Sequence, residues 1–126
     1  SRRQRQMCIR DRYNSKKSLI DSAKDYVHRN YRSVDLGLDD TCKELGVSNS
    51  YFSSLFKKET GSSFVEYLTD YRMDKAARML VETDDKSYVI AQNVGYADPN
   101  YFSYVFKRKY GVSPSRYRTE YEKNKV

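Results

Sequence analysis

Apolar residues recur along this chain three or four positions apart, which is the spacing of one face of a helix. Between residues 15 and 31, for example, they fall at Leu19, Ile20, Ala23 and Val27. No segment shows strand signals. The pattern predicts an all-α fold of about seven helices. Their predicted ranges are 15–31, 38–45, 49–59, 64–81, 87–94, 99–110 and 114–122.

Capping residues set the boundaries of these predicted helices. Gly46 and Gly111 follow helical stretches, where glycine can take the left-handed conformation that ends a helix. Ser48 offers a side-chain oxygen to the next helix start. Asp98 followed by Pro99 is a strong start signal, since aspartate caps and proline fits the first helical position.

The motif Y-F-S-x-x-F-K-x-x-x-G occurs twice, beginning at Tyr51 and again at Tyr101. Each copy follows a short predicted helix and a turn containing glycine, which is the order of a helix-turn-helix. The sequence therefore predicts a homeodomain-like arrangement of two helix-turn-helix subdomains joined by a long linker helix. The apolar positions expected to face the core are Phe52, Leu55, Phe56, Phe102, Val105 and Phe106.

The opposite faces of the two repeated helices are polar. Hydroxyl, amide and phenol groups can bond to base edges, and lysine can bind phosphate, so these faces predict DNA contacts. The predicted contact residues are Asn49, Ser50, Ser53, Ser54, Lys57, Asn100, Ser103, Tyr104 and Lys107. The linker helix would span about 27 Å. Two recognition helices could then enter successive major grooves, roughly 34 Å apart, on double-stranded DNA.

Charge divides the chain into parts. Residues 1–14 hold five arginines and one aspartate, out of a net charge of +7 for the whole chain. Five cations and no acid occur between residues 101 and 118, which favours an anionic partner.

The predicted organisation is a disordered basic tail or reading-frame artefact (1–14), a first helix-turn-helix subdomain (15–62), the linker helix (63–82), a second subdomain (83–122) and a tail (123–126).

Composition excludes several other classes. No apolar run reaches the roughly 18 residues that a membrane span needs, and no signal peptide is visible. Cys8 and Cys42 lack metal-ligand spacing, and Cys42 is expected to be a packed, reduced thiol in a cytoplasmic protein. The single histidine, His28, falls late in the first predicted helix, where a surface residue is expected rather than a catalytic base. No catalytic constellation and no glycine-rich phosphate loop are visible in the sequence. We therefore expect no enzymatic activity, no cofactor and no metal.

These motifs together resemble the C-terminal DNA-binding domain of the AraC/XylS family of bacterial transcription regulators. The resemblance covers residues 15–118 and is carried by Ile90-Ala91-x-x-Val94-Gly95-Tyr96-x-Asp98, Tyr101-Phe102-x-x-x-Phe106-Lys107 and Gly111-x-Ser113-Pro114-x-x-Tyr117-Arg118. It implies base-facing positions in both recognition helices: Ser50, Ser53, Ser54, Pro99, Asn100, Ser103 and Tyr104.

The resemblance also implies partners. The family usually joins this domain to a sensory or dimerising domain, in some members a response-regulator receiver. We therefore expect this chain to be the C-terminal part of a longer regulator with an N-terminal sensory or receiver domain. Activation through contact with RNA polymerase is the expected output. Two other interpretations stay open: a nonspecific nucleic-acid-binding protein, suggested by the basic tail, and a protein-interaction module. The three short serines of the first recognition helix predict modest specificity from that subdomain.

Overall fold

The computed structural model describes residues 17–124. It confirms the all-α prediction, because seven helices and no strand occur in this part of the chain. The first helix, α1, covers residues 17–30. The others are α2 (Leu38–Leu45), α3 (Asn49–Thr60), α4 (Phe64–Glu82), α5 (Ser87–Asn93), α6 (Pro99–Tyr110) and α7 (Pro114–Asn124).

The described residues form two compact units. Unit 1 contains residues 17–29 and 37–65, and unit 2 contains residues 30–36 and 66–124. Unit 1 therefore holds the α2–α3 helix-turn-helix and unit 2 the α5–α6 copy. The predicted subdomain boundaries at 15–62, 63–82 and 83–122 stay a prediction. The predicted basic tail, and residues 125 and 126 of the C-terminal tail, lie outside the described residues.

The capping residues act as the sequence predicts. Gly46 has a φ of 71° and ends α2 in the left-handed conformation. The Ser48 hydroxyl accepts a hydrogen bond from the Tyr51 backbone N–H at 3.2 Å. The Asp98 carboxylate accepts one from the Asn100 N–H at 2.9 Å. Each recognition helix therefore begins at a fixed residue, which sets the side chains that its first turn exposes.

The core of unit 1 is built on three aromatic rings. Phe52, Phe56 and Phe64 are almost fully buried. Their ring centroids lie 5.3 to 5.6 Å apart, and two of the three pairs meet edge to face. Buried Thr41 was not predicted for this core; its hydroxyl donates to the Gly37 carbonyl oxygen at 2.8 Å. Since Gly37 offers no side-chain cap, this bond holds the first turn of α2.

The core of unit 2 is larger and contains one charged group. Phe102 and Phe106 are fully buried, as predicted, whereas Val105 is only partly buried against the same cluster. Phe106 contacts the rings of Tyr110 and Tyr117 at centroid distances of 4.6 and 5.4 Å. The other core residues of this unit are Tyr31, Met73, Ala76, Ala77, Leu80, Ile90, Ala91, Val94 and Tyr96. These contacts fix the rotation of α6 about its axis, and thus the face it exposes.

Candidate nucleic-acid interface

The polar face of α3 lies on the surface of unit 1. Because Phe52 and Phe56 are buried, the helix turns its opposite side to solvent. Ser53 is half-buried. The exposed members of the predicted contact set are Asn49, Ser50, Ser54 and Lys57. This exposure satisfies the steric requirement for groove contact, and the contacts themselves stay a prediction.

Two aspartates at the start of α2 tie the helices of unit 1 together. Asp39 accepts a hydrogen bond from the Asn49 side-chain amide, so part of that amide is engaged within the protein. Asp40 accepts a hydrogen bond from the Tyr26 hydroxyl at 2.8 Å. This bond, together with burial, raises the pKa of Tyr26 above its ordinary value. The contacts hold α2 against α1 and against the N-terminus of α3.

The polar face of α6 is presented in the same way in unit 2. Its first turn begins at Pro99, directly after the Asp98 cap. Ser103 is half-buried, like its counterpart Ser53 in α3. The exposed members of the predicted contact set are Pro99, Asn100, Tyr104 and Lys107. Each unit therefore exposes one set of the predicted DNA contacts on its own recognition helix.

The basic segment 101–118 needs a correction, because two of its five cations are bound to other parts of unit 2 and a third forms an exposed pair within α7. The Lys109 ammonium lies 2.7 Å from an Asp74 carboxylate oxygen. Arg118 donates to the backbone oxygens of Leu80 and Thr83. Arg116 pairs with a carboxylate four residues further along α7, at 3.2 Å.

Two cations of that segment stay available for an anionic partner. Lys107 and Arg108 are exposed and have no acidic partner among residues 17–124. Both belong to α6, the second recognition helix. Within residues 101–118, the cations available to phosphate therefore lie on α6 alone, rather than along the whole segment as the sequence indicates.

A buried arginine braces the turn of the second helix-turn-helix. Arg72 is only 7% exposed. Its Nε donates to the Tyr31 carbonyl oxygen at 3.0 Å and its Nη2 to the Ser33 carbonyl oxygen at 2.8 Å. The guanidinium carbon also lies 5.5 Å from the centroid of the Tyr96 ring. Burial lowers the pKa of Arg72.

Gly95 fits between this arginine and the segment that follows α1. Its φ of 95° favours glycine, and a Cβ there would lie 2.5 Å from the Tyr31 carbonyl oxygen. The two hydrogen bonds of Arg72 and the missing side chain of Gly95 thus place the α5–α6 turn against residues 31–33 of the same unit. The sequence pattern assigns Gly95 to the turn and predicts no structural role for Arg72.

Two exposed residues of α6 are also missing from the predicted contact set. Tyr101 and Arg108 lie on either side of Tyr104 in the sequence, three and four positions away, and both side chains contact its ring. The spacing i, i+3, i+7 is present in the sequence and could have predicted the contacts of Tyr101 and Arg108 with Tyr104.

No group of three or more potential metal ligands occurs within residues 17–124. In the same range, no helix combines the length and apolar character of a membrane span.

Comparison with known proteins agrees with this geometry. The model of a helix-turn-helix domain family matches residues 41–120. The lactose operon transcription activator of Staphylococcus xylosus is 36% identical over 80 residues, which are 64% of this chain and 28% of that protein. This chain accordingly spans well under two thirds of the length of the first curated relatives it matches.

Two solved structures resemble the fold closely. The C-terminal domain of AraT, a response regulator from Geobacillus stearothermophilus, has a TM-score of 0.80 and 39% identity, over 81% of this chain and 84% of that one. The C-terminal domain of the two-component response regulator yesN from Fusobacterium nucleatum has a TM-score of 0.76 and 36% identity, over 78% and 95%.

The chain belongs to the helix-turn-helix domain family, and within it to the AraC/XylS type. This type is a class of sequence-specific DNA-binding domains of transcription regulators. The resemblance inferred from the sequence motifs is confirmed.

Proposed function

We propose that this chain binds a specific double-stranded DNA operator through α3 and α6, and that this binding regulates transcription, as an activator. The observation that carries the proposal is the repeated arrangement. In each unit a capped helix buries its phenylalanines and exposes polar side chains at matching positions. The proposed contacts are Asn49, Ser50, Ser53, Ser54, Lys57, Pro99, Asn100, Ser103, Tyr104 and Lys107.

The chemistry of these faces supports a division of labour between bases and phosphates. Serine hydroxyls, the Asn100 amide and the Tyr104 phenol can bond to base edges in a major groove. Lys57 and Lys107 can neutralise phosphates, which adds affinity without sequence preference. Following the sequence prediction, we propose that α3 and α6 enter successive major grooves of the DNA. Footprinting measures the distance between the two protected patches.

The remaining partners follow from the relatives. The names of two relatives include the word activator, which supports contact with RNA polymerase. The two closely similar structures are C-terminal domains of response regulators, which supports a sensory or receiver domain in the full-length protein. A regulator of this kind acts in the bacterial cytoplasm, and we assign it no catalytic reaction.

Selection of bound sequences from a random DNA pool tests the proposal directly. We expect one enriched motif, bound at least about a thousandfold more tightly than scrambled DNA at about 0.15 M salt. Footprinting on that motif should show two protected major-groove patches about one helical turn apart. Equal affinity for selected and scrambled DNA would instead favour a nonspecific nucleic-acid-binding protein. Absence of binding at low salt would favour a protein-interaction module.

The internal pairing of cations weighs against the nonspecific alternative. A protein that coats nucleic acid needs many cations directed to solvent. Within residues 101–118, however, Lys109 and Arg118 bind acceptors of unit 2 itself, and Arg116 forms an exposed pair. The cations of this segment without an acidic partner therefore lie on the second recognition helix.

A further inference from the structure

Five side chains of unit 2 form an uninterrupted series of contacts from the interior to the exposed face of α6. Each is an aromatic ring or a guanidinium group, and each contacts the next. We name this series the cation–aromatic ladder. Its members, in order from the interior, are Arg72, Tyr96, Tyr101, Tyr104 and Arg108.

The inner end of the ladder is fixed. Arg72 cannot move without breaking its hydrogen bonds to the carbonyl oxygens of Tyr31 and Ser33. Its guanidinium lies against the ring of Tyr96, which is itself only 9% exposed. The rotamer of Tyr96 is therefore held by packing and by a cation–π contact within the unit.

The outer end reaches solvent. The ring of Tyr101 lies 6.0 Å from that of Tyr96 and 6.4 Å from that of Tyr104, with the second pair stacked at an interplanar angle of 27°. The guanidinium carbon of Arg108 lies 5.8 Å from the Tyr104 ring centroid. Tyr104 is 58% exposed, yet its ring has a partner one turn before it and another one turn after it.

An exposed tyrosine ordinarily samples several rotamers and loses that freedom when it binds. A ring held between two partners has already lost part of this rotameric freedom before it binds. We infer that Tyr101 and Arg108 are positioning residues, which hold Tyr104 in the orientation that contacts DNA and so raise the sequence specificity of α6. The inference rests on the proposed function, since it assigns Tyr104 to the DNA contact.

The first recognition helix provides an internal comparison. The positions that correspond to Tyr101, Tyr104 and Arg108 are occupied in α3 by Tyr51, Ser54 and Lys58. Because Ser54 has no ring, the series cannot form in unit 1. We therefore expect α6, the second recognition helix, to contribute the larger share of the discrimination between bases.

The test is a double-mutant cycle on the complete chain, with the sequence selected from a random DNA pool as probe. The quantity measured is the specificity ratio, defined as the dissociation constant for scrambled DNA divided by that for the selected sequence. We expect Tyr101→Ala to lower this ratio about threefold to tenfold. In a Tyr104→Ala background the same change should alter the ratio less than about twofold, because the ring it positions is absent.

Three further variants separate positioning from other roles. Tyr101→Phe keeps the ring and should keep the ratio. Arg108→Gln should lower the ratio, whereas loss of a phosphate contact alone would weaken binding to both DNAs equally. Tyr51→Ala, the matched change in unit 1, should leave the ratio unchanged. Since Tyr101 and Tyr51 are exposed, we expect wild-type helicity in each variant.

A measurement without DNA tests the ladder independently. Carbon-13 relaxation of the Tyr104 ring should show greater mobility in Tyr101→Ala than in the wild type. Unchanged mobility, or a loss of specificity that persists in full in the Tyr104→Ala background, would overturn the inference. A wild-type chain with a rigid Tyr104 ring that fails to discriminate between DNA sequences would overturn the proposed function, and with it the ladder's role in specificity.

Discussion

At the scale of single residues, Gly95 occupies a position that no other residue type can enter without displacement. A Cβ at this position would lie 2.5 Å from the Tyr31 carbonyl oxygen and 2.9 Å from Nη2 of Arg72, at a φ of 95°. Backbone strain alone costs about 1–3 kcal/mol. Since the overlap adds to it, we expect Gly95→Ala to lower the free energy of unfolding by about 2–4 kcal/mol in chemical denaturation.

Gly46 is the matched control for this substitution. Its φ of 71° is also left-handed, but nothing lies within 4 Å of a Cβ built there. Gly46→Ala should therefore cost only the conformational strain, about 1–2 kcal/mol. Equal losses in the free energy of unfolding of the two variants would show that the close approach to Tyr31 and Arg72 adds nothing to the cost of Gly95→Ala.

Arg72 supports a second prediction at this scale. Arg72→Met keeps much of the side-chain volume but removes the Arg72 donor from the Tyr31 carbonyl oxygen, and leaves the Ser33 carbonyl oxygen with only the Leu36 N–H. Leaving the buried Tyr31 acceptor unpaired is costly, so we expect a loss of about 1–3 kcal/mol in the free energy of unfolding. Arg78→Met, on the same helix, removes only an exposed pair with Glu82 and should cost less than about 1 kcal/mol.

At the scale of elements, a polar cluster joins α4 to α6 in unit 2. Asp74 accepts hydrogen bonds from the Lys109 ammonium at 2.7 Å and from the Tyr110 hydroxyl at 2.8 Å. Partial burial by itself would raise the pKa of Asp74, but these two hydrogen bonds and the charge of Lys109 together lower it below its ordinary value. Burial, followed by the bond to Asp74, raises the pKa of Tyr110.

These directions predict how stability depends on pH. Asp74 binds its proton less readily in the folded state, so its contribution is present above about pH 4 and is lost as the pH falls further. Tyr110 releases its proton less readily when folded, so its contribution is lost as the pH rises above about 10. We expect Asp74→Asn to remove part of the acid dependence of the thermal midpoint, at a cost below about 1 kcal/mol near neutrality because the carboxylate is largely exposed.

The control for this cluster is Asp25→Asn. Asp25 pairs with Arg29 within α1, so the pair joins no two elements. Since both side chains are largely exposed, its removal should change the thermal midpoint near neutrality only slightly. An acid profile of Asp74→Asn that is the same as that of the wild type would contradict the assignment of the α4–α6 cluster.

How far the sequence predicts these elements depends on the range of the interaction. Ser48 and Asp98 cap helices through contacts two or three residues away, so local chemistry was sufficient to place α3 and α6. The partners of Arg72 and Lys109 lie 35 or more residues away, and nothing in the spacing of apolar residues predicts such pairs. The sequence thus predicted which helices form and which face each exposes, but not which cations stay available.

At the scale of the whole molecule, the distribution of available charge predicts how DNA affinity responds to salt. Lys107 is exposed on α6 with no acidic partner among residues 17–124, whereas Lys109, two positions later, is bound to Asp74. Each cation that neutralises a phosphate adds about 0.9 to the slope of log affinity against log salt concentration. We expect Lys107→Gln to reduce the magnitude of that slope by about one and to weaken binding to selected and scrambled DNA alike.

Lys109→Gln provides the comparison, since it removes the same charge from the same helix. Net charge would change equally in the two variants, so a general electrostatic effect predicts equal slopes. A specific phosphate contact predicts a lower slope for Lys107→Gln alone, because the Lys109 ammonium is already engaged by a carboxylate. Titrations of the selected DNA between about 0.05 and 0.2 M salt distinguish the two, and equal slopes would remove Lys107 from the proposed interface.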